Sequence, residues 1–153
     1  AMADRKGPER VVFTLADLPG YGPVDGVPPK LTTGWALMTR RYMKERKQLS
    51  CVFILVESAL GVSEHDHSFM DQLDQRKTPF QVIMTKTDQL EPLPLARSNA
   101  LIMEEVSRRH PLFDGEDIPM CSSRDGTGIV ELYQRMREGV GILTGEDGDE
   151  YDY

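Results

Sequence analysis

Two short polar segments of the sequence, each directly after a predicted β-strand, have side chains suited to binding an aromatic base. They are Thr85-Lys86-Thr87-Asp88 and Ser122-Ser123-Arg124. A carboxylate such as Asp88 can accept two hydrogen bonds side by side, and guanine offers two adjacent donors, N1–H and its 2-amino group, that adenine lacks. The stem of Lys86 can lie along the purine face, and a backbone N–H after Ser122 can meet the guanine carbonyl oxygen. Together these segments predict a guanine site.

A third segment, Asp17-Leu18-Pro19-Gly20, also follows a predicted strand. Its aspartate suits Mg²⁺ held through water, and its glycine can bring a backbone N–H to a terminal phosphate. Each segment by itself is equally compatible with an ordinary turn, since Pro-Gly dipeptides are common in turns. The presence of all three, in this order and each after a strand, favours the nucleotide interpretation.

The elements that must position these segments alternate along the chain. Four strand-like runs are each followed by a helical pattern, which predicts an α/β fold with a doubly wound parallel sheet. Apolar runs without polar alternation indicate strands covered on both faces. In such sheets, ligands bind at the carboxyl ends of the strands. The predicted strands are 11–16, 51–56, 80–84 and 118–121, and the helices cover about 31–49, 63–76, 95–110 and 129–140.

Composition indicates one globular domain. The chain has 153 residues, 39% of them hydrophobic, with a formal net charge of −7. No apolar run approaches the roughly 20 residues that a membrane helix needs, and the acidic balance disfavours tight binding to bare duplex nucleic acid. We predict a flexible start or tag remnant at 1–9, one folded domain at 10–143 and a disordered acidic tail at 144–153. A local basic face is predicted on the helix that carries Arg40, Arg41, Lys44, Arg46 and Lys47.

The cysteines and histidines predict no further site. Cys51 and Cys121 are far apart in sequence and form no CxxC pair, so buried thiols in a reducing compartment are expected. His65 and His67 lie at the start of a predicted helix, which we interpret as solvated. His110, at a helix end, is predicted to be structural.

At this level of detail the sequence resembles the EngB (YihA) family of GTP-binding proteins, within the TrmE-Era-EngA-EngB-septin-like superfamily. The resemblance begins with Asp-x-Pro-Gly-Tyr-Gly at 17–22 and continues with Trp35, Tyr42 and a Glu-Arg pair at 45–46. It ends with Ser122-Ser123 and the pair Gly128-Ile129 at the family's spacing, so it covers about 11–141.

The resemblance implies GTP or GDP and Mg²⁺ as ligands and a role in assembling the large ribosomal subunit, whose precursor RNA and protein would be partners. It also implies that Tyr21 stands where related enzymes have a catalytic glutamine, so hydrolysis would be slow and the catalytic residue is unknown. The implied Mg²⁺ and γ-phosphate residues are Asp17, through water, and Gly20. The implied guanine-binding residues are Thr85, Lys86, Asp88, Ser122, Ser123 and Arg124.

Two departures limit what the resemblance implies. The segment 57–61 lacks the family's acidic-basic-glycine pattern, and no Gly-Lys dipeptide of a phosphate loop occurs in the chain. We therefore expect a P-loop GTPase fold that lacks its first strand, phosphate loop, first helix and second strand, and that is inactive in hydrolysis by itself. The alternative is a degenerate pseudo-GTPase acting as a ribosome-associated scaffold.

An open sheet edge follows from that expectation. We expect the strand 11–16 to pair directly with 51–56, or a strand to be exchanged between two copies of the chain in a dimer. We expect no membrane association and an intracellular location. The choice between the cytoplasm and an organelle such as the mitochondrion stays open.

Overall fold

The computed structural model describes residues 14–22, 26–113 and 115–139. The predicted segments 1–9 and 144–153 lie outside the described residues. In the described residues the chain alternates helices with parallel strands, and a 3₁₀ turn at Thr87–Gln89 follows the second strand. In chain order the elements are α1 (Pro29–Glu45), β1 (Val52–Glu57), α2 (Glu64–Arg76), β2 (Phe80–Thr85), α3 (Pro92–Arg109) and α4 (Ile129–Gly139).

The parallel sheet is built around β2. Its register with β1 runs from Val52 opposite Phe80 to Glu57 opposite Thr85. On the other edge of β2 there is a single parallel bridge, between Met84 and Met120, with hydrogen bonds Met84 N–H to Pro119 O at 2.9 Å and Cys121 N–H to Met84 O at 2.8 Å. The prediction of a fourth strand at 118–121 is therefore only partly right, and Pro119 has no N–H to extend the ladder.

The predicted strand at 11–16 is not observed where it can be followed. Thr14, Leu15 and Ala16 are exposed and irregular, and residues 11–13 lie outside the described ranges. Among the described residues, β1 pairs with β2 and has no strand on its other edge. The expected direct pairing with β1 is therefore wrong for 14–16.

The hydrophobic core lies on one face of the sheet. It combines strand residues with apolar residues from α1, α2 and α3. Its members include Met43, Ile54, Val56, Phe69, Met70, Leu73, Val82, Met84, Ile102 and Val106. On the opposite face Ile83 is buried, but its register partner Leu55 is 63% exposed. The expectation that every strand is covered on both faces therefore holds for β2 and is wrong for β1.

Helix α2 begins with a capping box. Ser63 Oγ accepts a hydrogen bond from Asp66 N–H at 3.3 Å, and the Asp66 carboxylate accepts one from Ser63 N–H at 2.7 Å. These reciprocal bonds satisfy two backbone donors at the helix start.

No helix in the described ranges is long and apolar enough to cross a bilayer.

A buried histidine pair ties α2 to α3, which corrects the prediction that His67 is solvated. His67 is 2% exposed, and its Nδ1 lies 2.9 Å from His110 Nε2. The outer ring nitrogens contact carboxylates, His67 Nε2 with Glu105 at 2.9 Å and His110 Nδ1 with Asp74 at 2.8 Å. His67 is buried because it lies on the inner face of α2 together with Met70.

Candidate functional site

The segments after β2 and after the Met120 bridge meet at one edge of the sheet. Thr87 N–H donates to Cys121 O at 3.4 Å, and Ser122 Oγ donates to Asp88 Oδ1 at 2.7 Å. The structure therefore brings together the residues predicted to read the base. We call this set, Thr85, Lys86, Asp88, Ser122, Ser123 and Arg124, the Asp88 rim.

The Asp88 carboxylate is fixed on one side and accessible on the other. Its side chain is 13% exposed, with Oδ1 held by the fully buried Ser122 and Oδ2 lying 3.5 Å from Arg124 Nη1. The Arg124 side chain is 82% exposed, so its contact with Oδ2 is exchangeable. An oriented carboxylate of this kind can accept hydrogen bonds from a ligand that displaces the guanidinium.

The loop after Ser122 is fixed by its own hydrogen bonds. Ser122 Oγ accepts from Arg124 N–H at 3.1 Å, and Ser122 N–H donates to Thr127 O at 2.9 Å. The Asp125 carboxylate accepts from Thr127 N–H at 2.9 Å, and that bond holds the pKa of Asp125 below its usual range. Ser123 is exposed, and its N–H has no partner in the part of the chain that the structure describes.

Gly128 closes this loop against the sheet. Its φ is 70°, and a Cβ at this position would lie 1.8 Å from the carbonyl oxygen of Met120. Only glycine allows both the left-handed conformation and this approach. The Gly-Ile pair noted in the sequence therefore has a structural reason, because it lets α4 start where Ser122 meets Asp88.

The last residue of β1 and the residue after it also contact the rim, and neither of them was assigned a ligand from the sequence. Glu57 forms an ion pair with Lys86 Nζ, and Ser58 Oγ donates to the Lys86 carbonyl at 3.1 Å. Their position at the carboxyl end of a strand, beside Thr85, was the signal that could have identified them.

Asp17 and Gly20 are not joined to the rim by any hydrogen bond among the described residues. Asp17 is exposed and makes no hydrogen bond or ion pair in those ranges, and nothing lies within 4 Å of a Cβ built on Gly20. Neighbouring residues attach this segment to helices α1 and α2. Thr39 Oγ1 donates to Pro19 O at 3.2 Å, and Tyr21 stacks on Phe69 with ring centroids 4.2 Å apart.

Tyr21 is fixed in its neutral form. Its hydroxyl donates to Asp66 Oδ1 at 2.7 Å. Burial raises the pKa of Tyr21 well above its ordinary value, and the hydrogen bond to the Asp66 carboxylate raises it further. The ring borders a polar cleft of about 250 Å³ between α1 and α2 that is also lined by Arg40 and His65. No residue of the Asp88 rim lines this cleft, so the cleft is a separate feature.

Three potential metal ligands, Asp71, Asp74 and His110, have ligand atoms within 4.8 Å of one another. Each of these groups already has a protein partner. His110 Nδ1 contacts Asp74 at 2.8 Å, and Asp71 accepts from Arg109 at 3.0 Å. We therefore interpret the cluster as part of the helix–helix contact. Asp17 stays the residue expected to hold Mg²⁺ through water.

The parallel sheet, with polar loops gathered at the carboxyl ends of its strands, is the architecture of a partial P-loop GTPase-like domain. Two solved structures share this fold. Translation elongation factor SelB from Methanococcus maripaludis, in its apo form, matches with a TM-score of 0.56 and 20% identity over 63% of this chain and 21% of its own. The same protein in complex with the GTP analogue GppNHp matches with a TM-score of 0.56 and 21% identity, over 61% and 21%.

Sequence relatives indicate the protein family more specifically than the shared fold does. The chain is 33% identical over 131 residues to the "Probable GTP-binding protein EngB" of Rhodopseudomonas palustris strain BisB18, which covers 86% of this chain and 59% of that protein. It is 30% identical over 128 residues to the protein of the same name from Rhizobium johnstonii, covering 84% and 58%. No family model matches the chain.

These relatives confirm the resemblance to EngB-type proteins that the sequence motifs predicted. The chain spans 59% of the length of the Rhodopseudomonas relative. What the whole of such a protein does is therefore a matter for proposal.

Proposed function

We propose that this chain carries the base-recognition part of a guanine-nucleotide site in an EngB-type GTP-binding protein. The observation that supports this most is the 2.7 Å hydrogen bond from the buried Ser122 hydroxyl to Asp88 Oδ1. It orients a carboxylate at the carboxyl end of a parallel strand, where ligands of such sheets bind.

Guanine would complete the hydrogen bonding of this rim. Its N1–H and 2-amino groups would donate to the Asp88 carboxylate and replace the Arg124 guanidinium, which lies 3.5 Å from Oδ2. Its carbonyl oxygen would accept from the N–H of Ser123. The aliphatic stem of Lys86 would lie on the purine face. Adenine lacks both adjacent donors, so the arrangement would discriminate between the two purines.

The remaining assignments rest on the family resemblance. GTP or GDP would be the nucleotide, Asp17 would hold Mg²⁺ through water, and the N–H of Gly20 would approach the γ-phosphate in the intact protein. Tyr21 could not orient a water molecule as a glutamine does, because its hydroxyl is already bonded to Asp66 at 2.7 Å. Any hydrolysis would then depend on a group supplied from outside this segment.

A ribosomal partner is the second part of the proposal. Four basic residues of the helix α1 and of the turn after it, Arg40, Lys44, Arg46 and Lys47, are exposed, although the whole chain has a net charge of −7. Such a patch suits the phosphate backbone of RNA within a large-subunit precursor. We place the protein inside the cell on the same grounds and leave the choice of compartment open.

The test of base recognition is an NMR titration of the 153-residue chain with GMP and AMP. A charge-assisted hydrogen-bond pair is worth roughly 1.5–3 kcal/mol, so GMP should bind about 10- to 100-fold more tightly than AMP. Amide shifts should centre on the Asp88 rim. The Asp88→Asn variant should lose this preference. Glu104 is exposed and makes no hydrogen bond or ion pair in the described ranges, so Glu104→Gln, which removes the same charge, should keep it. Equal binding of GMP and AMP to the unaltered chain would refute the proposal.

A further inference from the structure

Lys86 has a backbone conformation that is unusual for its residue type. Its φ of 55° and ψ of 38° lie in the left-handed region, which is unfavourable for a residue with a side chain. In the described ranges, Lys77 is the other non-glycine residue with positive φ, and it ends helix α2, where that conformation is common. Lys86 caps no α-helix, so its conformation must be held by neighbouring groups.

The backbone of Lys86 is held by Ser58. The Ser58 hydroxyl donates to the Lys86 carbonyl at 3.1 Å, and the Ser58 N–H donates to the Thr85 carbonyl at 3.0 Å. Ser58 is 1% exposed, and its own carbonyl accepts from Ser98 of α3 at 2.7 Å. One buried residue at the end of β1 thus connects α3 to the strained peptide.

The side chain of Lys86 is held by Glu57. The carboxylate of Glu57 pairs with Lys86 Nζ. Glu57 lies opposite Thr85 in the strand register, so the pair spans the carboxyl ends of β1 and β2. The ammonium group is thereby neutralised by the protein, and the aliphatic stem is directed toward the end of β1.

We propose that Glu57 and Ser58 are positioning residues that set Lys86 as a platform for the purine face. Ser58 fixes the backbone of Lys86, and Glu57 fixes the direction of its side chain. Because Glu57 neutralises the ammonium, Lys86 supports the base and contributes little to phosphate binding. This inference rests on the proposed guanine site and adds to it two residues and a division of roles, with base support separate from the donor reading by Asp88.

The test compares GMP with IMP, which has the same purine face and lacks the 2-amino group. Glu57→Gln and Ser58→Ala should each weaken GMP and IMP by the same factor, about threefold to tenfold, since each removes one partner of a hydrogen bond. The GMP-to-IMP ratio should stay that of the unaltered chain. Asp88→Asn should instead change that ratio, because it alters the group that meets the 2-amino donor.

A backbone readout separates positioning from general destabilisation. In Ser58→Ala the Lys86 Cα and Cβ chemical shifts should move away from left-handed values, and in Glu57→Gln they should not. Glu104→Gln should change neither the affinities nor these shifts.

Unaltered GMP affinity in both Glu57→Gln and Ser58→Ala, with the unaltered chain still preferring GMP to AMP, would overturn this inference and leave the guanine site standing. A change of the GMP-to-IMP ratio in either variant would also overturn it, because the residue would then act on donor reading. Absence of any GMP preference in the unaltered chain would instead refute the guanine site itself.

Discussion

The Asp88 rim and the segment around Asp17 each match a nucleotide-binding motif, yet they differ in what holds them. At the rim, Asp88 is oriented by a buried serine hydroxyl at 2.7 Å, and the loop 122–127 is closed by its own hydrogen bonds. Asp17 is exposed and has no hydrogen bond in the described residues. The two segments therefore differ in how firmly the described part of the chain fixes them.

The sheet accounts for this difference. The rim stands on β2, which is paired with β1 on one edge and bridged to Met120 on the other. Asp17 follows residues 14–16, which pair with no strand in the described part of the chain. Parallel ladders fix where the carboxyl ends of strands lie, so the loops at those ends share one edge.

The largest expected effect comes from Gly128, whose close approach to Met120 builds the rim. Gly128→Ala should lower the free energy of unfolding by about 3 kcal/mol, combining a backbone clash with left-handed strain. Gly126 is the matched control, because its φ of 82° imposes the same strain and nothing lies within 4 Å of its Cβ. Gly126→Ala should cost about 1 kcal/mol. Equal losses in urea unfolding would show that the Gly128 contact does not hold the rim.

The hydrogen bond from Tyr21 to Asp66 helps to attach the segment around Asp17 to helix α2. Tyr21→Phe removes the hydrogen bond to Asp66 and should lower the free energy of unfolding by about 1 kcal/mol. Because the pKa of Tyr21 is raised in the folded state, its contribution is fully present below the ordinary value near 10 and declines as pH rises above it. The unaltered protein should therefore lose up to about 1.4 kcal/mol per pH unit above pH 10 from this residue. A pH series on Tyr21→Phe should lack that slope, and an identical slope in both proteins would contradict the assignment.

The smallest expected effect concerns phosphates. The 153 residues contain no Gly-Lys dipeptide, and Asp17 has no fixed contact in the described ranges. GTP with Mg²⁺ should then bind this chain within about fivefold of GMP, because the absent charge-assisted contacts, at roughly 1.5–3 kcal/mol each, are what would separate the two ligands. Calorimetry that gives a hundredfold advantage for GTP would mean that the Asp17 segment holds phosphates as it stands.

Much of the architecture could be predicted because it follows from local patterns. The helical pattern at 31–49 predicted α1, the pattern at 63–76 predicted α2, and the apolar run at 80–84 predicted β2. The meeting of Asp88 with Ser122 could also be predicted, since both follow neighbouring parallel strands.

The sequence could not predict what depends on non-local partners. The run 11–16 is predicted as a strand from its composition, whether or not a neighbouring strand pairs with it, and residues 14–16 form no strand in the structure. The burial of His67 depends on His110, 43 positions away in the chain. The contact of Ser58 with the Lys86 carbonyl at 3.1 Å depends on the left-handed backbone conformation of Lys86, which the sequence Thr-Lys-Thr-Asp does not predict.

The most direct test of base reading at Asp88 is an exchange of base specificity with XMP. Xanthine keeps the N1–H donor and has a carbonyl oxygen where guanine has its 2-amino group, so an asparagine at this position could accept from N1–H and donate to that oxygen. In NMR titrations the unaltered chain should prefer GMP to XMP, and Asp88→Asn should prefer XMP to GMP, with a combined change of about 100-fold. If Asp88→Asn folds normally and still prefers GMP, the carboxylate of Asp88 does not read the base.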